Sequence, residues 1–103
     1  MSDPDFSTPY RNVPFFGVWA EESADGYGRL AALAILQSAL DRCREEDMRH
    51  DTDTTAALAY LSRHLIRNAP ANQFATALNI QHPDTRWQGL NAAVNAIRRG
   101  LGL

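Results

Sequence analysis

The feature of this 103-residue sequence that most constrains its fold is an apolar repeat near the carboxyl end. Five apolar residues follow one another at intervals of three, four, three and four: Trp87, Leu90, Val94, Ile97 and Leu101. This is the spacing of the residues by which one helix packs along a neighbouring helix. The repeat therefore predicts an α-helix with one buried face, with Asp84 as its N-cap and Gly100 just after its end.

A second apolar stripe lies in the first half of the chain. Its residues are three or four positions apart: Leu30, Leu33, Leu36, Leu40 and Cys43. We expect a central helix that starts after Ser23 or Asp25 and continues to Arg49, with the charged stretch 44–51 as its solvated end. Cys43 lies on the stripe, so we expect it to be buried as a small apolar side chain.

Two shorter segments complete the helical pattern. One is capped by Thr52 or Asp53 and continues to Asn68. Its stripe and flanking residues are Leu58, Leu61, Leu65, Ala57 and Ile66. The other covers residues 71–79, has Pro70 in its first turn, and should bury Phe74 and Leu78. The sequence therefore predicts an all-α fold, a small helical bundle of three to five helices.

The first twenty residues show no helical period. Pro4, Pro9 and Pro14 restrict the backbone there, which predicts an extended arm over residues 1–20 and one helical domain over residues 21–103. Four aromatic residues lie in the second half of the arm: Tyr10, Phe15, Phe16 and Trp19. Two roles are open for them, because the arm either completes the core between helices or docks on a partner.

Composition excludes several classes of protein. The chain has no apolar run long enough to span a bilayer, and its first residues do not resemble a signal peptide. With Cys43 as the single cysteine, no internal disulfide forms, and we expect a cytoplasmic protein. All ten basic residues are arginine and alanine is abundant, which is typical of a GC-rich bacterial or phage coding sequence.

Charge is distributed unevenly along the chain. Residues 1–53 contain eleven acidic residues and five arginines, a net charge of −6, whereas residues 54–103 contain one acidic residue and five arginines, a net charge of +4. Together they give the net charge of −2 for the whole chain. Two interpretations are open: the second half binds an anion, or the two halves attract each other within one fold or across a homodimer.

The stretch from Phe74 to Trp87 resembles the turn of a helix-turn-helix. Asn79 stands where that motif prefers glycine, but Thr85 and Gln88 occupy positions that the motif needs apolar. Ordinary helix packing is therefore the better interpretation. The alternative function is a nucleic-acid-binding regulator that uses the helix-turn-helix-like region 73–99, and its candidate phosphate contacts are Arg86, Arg98 and Arg99.

An enzyme is a weaker hypothesis. An acid–base or metal site would require His50, Asp51 and His64 to converge, and an adjacent His-Asp pair is common by chance. No glycine-rich phosphate loop is present, since Gly26 and Gly28 lack a third glycine and a preceding strand. We therefore expect no catalytic residue, no cofactor and no metal.

The preferred hypothesis is a non-enzymatic protein–protein interaction module, an adaptor or an inhibitor, whose partner is another protein or its own copy. The apolar carboxyl tail motivates it, because a monomer has little reason to expose such residues. The candidate partner-binding residues are Phe15, Phe16, Trp19, Leu101 and Leu103.

Overall fold

A computed structural model describes the backbone of residues 25–103 and the side chains of residues 28–103. These residues form four helices: α1 (Asp25–Arg42), α2 (Thr52–Ser62), α3 (Ala69–Ala77) and α4 (Pro83–Gly100). No strand occurs among them, which confirms the predicted all-α bundle. The predicted arm, residues 1–20, lies outside the described residues, and the division of the chain into arm and domain stays a prediction.

The helices pack in pairs around one apolar core. α1 packs mainly on α2 and α3 mainly on α4, while α1 also contacts α4. The largest fully buried apolar side chains come from all four helices and include Leu36, Leu61, Phe74, Leu90 and Ile97. This single cluster explains the cohesion of the bundle, because burying a large apolar side chain stabilises a fold by about 1.5–3 kcal/mol.

The apolar repeat of α4 forms the helix face that was predicted. Leu90, Val94 and Ile97 are fully buried in the core, and Trp87 and Leu101 are half-buried at the two ends of the same face. On α4, Gly89 allows a close approach to α3, since a Cβ at that position would lie 3.1 Å from the Cβ of Ala77. The spacing of α4 therefore indicated its core contacts correctly.

The predicted extent of the first helix is wrong. α1 ends at Arg42, whose carbonyl accepts hydrogen bonds from the N–H groups of Glu45 and Glu46 in a following turn. The turn carries Met48 back into the core, although the sequence placed it in a solvated end. At the other end of the stripe, Leu30 is 55% exposed because no described helix covers it.

The predicted bounds of the second helix also need correction. Asp51 is the N-cap of α2, and its carboxylate accepts hydrogen bonds from the N–H and the hydroxyl of Thr54 at 2.9 and 2.7 Å. The helix ends at Ser62, because the next two N–H groups bond to carbonyls three residues back instead of four. Ile66, expected to flank the buried stripe, lies beyond this end and is exposed.

The predicted caps of the last helix are wrong as well. The N-cap of α4 is His82, whose Nδ1 accepts the N–H of Thr85 at 3.3 Å, and Asp84 lies in the first turn instead. The left-handed residue after the helix is Gly102, with φ of +78°, instead of Gly100. Each end is therefore displaced by two residues from its predicted position, which pattern alone rarely resolves.

Candidate interaction surface

Arg86 joins the start of α4 to two other segments of the chain. Its Nε and Nη2 donate to the carbonyl oxygen of Cys43 at 2.9 and 2.7 Å. Its Nη1 donates to the carbonyl oxygens of Ile80 at 2.8 Å and Gln81 at 3.3 Å. The guanidinium therefore satisfies main-chain carbonyls in the turn after α1 and in the α3–α4 loop, which is a structural role.

Arg86 belongs to the candidate nucleic-acid set, and this geometry bears on that hypothesis. A guanidinium has five N–H groups, and four hydrogen bonds to carbonyls occupy most of them. A phosphate contact by Arg86 would therefore compete with main-chain hydrogen bonds. Arg98 and Arg99 are exposed near the opposite end of α4, so the three arginines do not form one compact basic cluster.

The remaining polar contacts at the start of α4 are on the surface. Arg44 donates to the carboxylate of Asp84 at 3.0 Å, and its guanidinium lies 4.8 Å from the ring centre of Trp87. Nearby, the carboxylate of Asp47 accepts from Arg49, which holds the pKa of that carboxyl well below its usual range. No buried side-chain nitrogen or oxygen among the described residues lacks a hydrogen-bond partner.

The residues of the enzyme hypothesis have ordinary surroundings. Asp51 caps α2, the ring of His64 lies 4.5 Å from that of Tyr60, and His50 is exposed. Among the side chains of residues 28–103, no group of three or more His, Cys, Asp or Glu is placed to hold a metal ion. The expected absence of catalysis stays a prediction.

Cys43 is fully buried at the end of the α1 stripe, which confirms the sequence expectation. Burial raises the pKa of its thiol, although Arg86 and Arg44 act in the opposite direction. A buried thiol of raised pKa stays protonated at neutral pH and reacts poorly as a nucleophile. Cys43 therefore acts as a packing residue.

The opposite end of α4 is apolar and open. Three large apolar side chains are exposed among the described residues: Leu30 at 55%, Leu103 at 54% and Ile66 at 96%. They line two grooves on different sides of the end of α4. The α1 groove, of about 310 Å³, is lined by Leu30, Leu33, Ala34, Gln37, Arg98 and Leu103. The α3 groove, of about 530 Å³, is lined by Leu65, Ile66, Arg67, Ala69, Pro70, Arg99 and Gly100.

The predicted partner-binding residues fall into three groups. Leu103 is exposed and lines the α1 groove, whereas Leu101 is half-buried against the core. Phe15, Phe16 and Trp19 lie outside the described residues. A partner role for each of them stays a prediction.

Two exposed residues were missed by the sequence interpretation. Ile66 and Leu30 were placed on buried stripes, because both fall at helical spacing from core leucines. The one indication in the sequence was Pro70, which predicts that the preceding helix ends before α3 but does not show at which residue it ends. Ile66 is exposed because α2 ends four residues earlier, at Ser62.

None of the helices within residues 25–103 combines the length and apolar character that crossing a membrane needs. No protein-family model, no curated protein and no solved structure matches the chain.

Proposed function

We propose that this chain is a non-enzymatic protein–protein interaction domain that binds an acidic, apolar segment of a partner protein in the α3 groove. The observation that carries the proposal is the 96% exposure of Ile66 beside a groove with an apolar floor. Covering an isoleucine on binding is worth about 1.5–3 kcal/mol, so this side chain is a suitable anchor.

Charge around the α3 groove indicates the chemistry of the partner. Arg67 and Arg99 line the groove, and none of the described residues that line it is acidic. Carboxylates on either side of an apolar side chain in the partner would complement these arginines. Such complementarity raises the rate and the specificity of association between the two proteins. The groove therefore suits a partner segment in which glutamate or aspartate flanks leucine, isoleucine or an aromatic residue.

The same charges argue against a symmetric homodimer through this groove. A two-fold axis there would bring together two grooves that each carry Arg67 and Arg99 and no acidic lining residue, and like charges in contact are unfavourable. A separate protein is therefore the better partner. We place the interaction in the cytoplasm on the sequence argument from the single cysteine.

Site-specific photocrosslinking tests the proposal. The full chain with benzoylphenylalanine at position 66 is expressed in its own host, and the captured protein is identified by mass spectrometry. Ala92, an exposed residue of α4, is the control position. We expect an adduct at position 66 that Arg67→Glu together with Arg99→Glu abolishes, and none at position 92.

The captured protein is then purified and its affinity is measured. We expect Ile66→Glu to weaken binding by about tenfold or more, since hot-spot residues lie in the centre of an interface, and Ala92→Glu to leave it unchanged. An affinity that Ile66→Glu does not alter would overturn the proposal. Light scattering over a range of protein concentrations completes the test, because a dimer lost in Ile66→Glu would make the occupant a second copy.

Salt distinguishes this proposal from the nucleic-acid alternative. Phosphate contacts by Arg86, Arg98 and Arg99 would make the affinity for double-stranded DNA fall steeply as salt rises. An interface anchored by Ile66 loses only its charged contribution under the same conditions. Tight DNA binding lost in Arg98→Ala with Arg99→Ala would favour the alternative.

A further inference from the structure

The α1 groove is lined by a different part of the sequence from the α3 groove. Leu30, Leu33 and Ala34 come from the first and middle turns of α1, and Leu103 follows the end of α4. About half of Leu30 and half of Leu103 are exposed, on either side of the same groove. The groove therefore has an apolar floor next to the point at which the preceding segment, residues 1–24, joins the helix.

The composition of residues 1–24 matches this groove. The segment contains five aromatic residues. It also contains four acidic residues and one arginine, so its net charge is −3. Aromatic side chains bury a large area on an apolar floor, and carboxylates complement the guanidinium of Arg98. Among these acidic residues, Glu21 and Glu22 are the nearest to Trp19 in the sequence.

Chain length allows the contact within one molecule. α1 rises by about 1.5 Å per residue, so Leu33 is roughly 12 Å along the helix from Asp25. Trp19 precedes Asp25 by six residues, and six extended residues span up to about 20 Å. The chain between Trp19 and Asp25 is therefore long enough for residues 15–19 to reach Leu30 and Leu33 within one molecule.

We infer that Phe15, Phe16 and Trp19 of the same chain occupy the α1 groove. The segment covers Leu30 and Leu103, and Arg98 holds its acidic residues. This contact is separate from the partner site at Ile66, so each is tested on its own groove. It also separates the roles of neighbouring arginines, with Arg98 binding the chain's own segment and Arg99 binding the partner.

Tryptophan fluorescence tests the inference in the full chain. Trp87→Phe leaves Trp19 as the single tryptophan. We expect blue-shifted emission from Trp19 and protection from acrylamide. Leu30→Glu should shift this emission to the red and remove the protection, while the matched change Ile66→Glu should do neither. Leu103→Glu, at an exposed position outside the helices, repeats the test with less risk to folding, and circular dichroism checks that each variant is helical.

A disulfide distinguishes the same chain from a second copy. Val18→Cys with Leu103→Cys should form a bond within a monomer, seen on a non-reducing gel, whereas Val18→Cys with Ile66→Cys should form it much more slowly. Cys43 is buried and does not compete. Solvent-like Trp19 emission in the parent, a disulfide-linked dimer, or equal rates for the two cysteine pairs would each overturn the inference.

Discussion

The two ends of α4 have opposite chemistry although one apolar face runs through both. At the first end, Arg86 donates to three carbonyl oxygens and His82 caps the helix, so polar groups are satisfied within the fold. At the last end, Ile66 and Leu103 are exposed beside Arg99 and Arg98. The first end therefore satisfies its polar groups within the fold, whereas the last end leaves large apolar side chains exposed.

The physical reason is the different cost of leaving each kind of group uncovered. A buried carbonyl without a hydrogen-bond donor costs about 1–3 kcal/mol. The folded chain therefore provides a donor for it, here the guanidinium of Arg86. An exposed isoleucine leaves no polar group unsatisfied, so the fold tolerates it. The free energy of removing this side chain from water can then be gained when a partner binds. Changes at the two ends should therefore separate stability from association.

The largest effect is expected for a matched pair of isoleucines. Ile97→Ala removes a fully buried side chain and should lower the free energy of unfolding by about 2–5 kcal/mol. Ile66→Ala removes an exposed side chain and should change it by less than about 0.5 kcal/mol. Urea unfolding followed by circular dichroism measures both, and equal losses would contradict the assignment of Ile66 to a binding surface.

Arg86 gives the next largest effect. Arg86→Ala leaves the carbonyls of Cys43, Ile80 and Gln81 without their donor, and we expect a loss of about 2–4 kcal/mol because hydrogen bonds to charged groups are strong. Arg86→Lys keeps the charge but loses the planar fork, so it should restore only part of the stability. Full recovery with lysine would mean that charge alone, and not the three-way contact, matters here.

The smallest effect is expected for Arg44, also at the first end. Its ion pair with Asp84 and its contact with Trp87 are exposed, so Arg44→Ala should cost less than about 1 kcal/mol. High salt should reduce this difference further. A loss as large as that of Arg86→Ala in the same unfolding assay would show that surface charge, and not carbonyl bonding, stabilises this end.

The fold was largely predictable, and the candidate site was not. Periodicity located the core face of α4 and the burial of Phe74, because a helix repeats its surface every three to four residues. It misplaced the ends of α1 and α2, because the turns that close them depend on hydrogen bonds with little sequence signature. The exposure of Ile66 follows from the end of α2, whereas Leu30 is exposed because no described helix covers it, so the grooves could not be found from spacing.

The sequence by itself determined that residues 25–103 are mainly helical and which face of α4 enters the core, since spacing along a helix is a local property. The tertiary structure alone decided the rest. Arg86 bonds to the carbonyl of Cys43, 43 residues away in the sequence, and the two grooves join residues of α1 and of the α2–α3 region to the end of α4. Such contacts depend on how the helices stack, and no local pattern records which distant residues that stacking brings together.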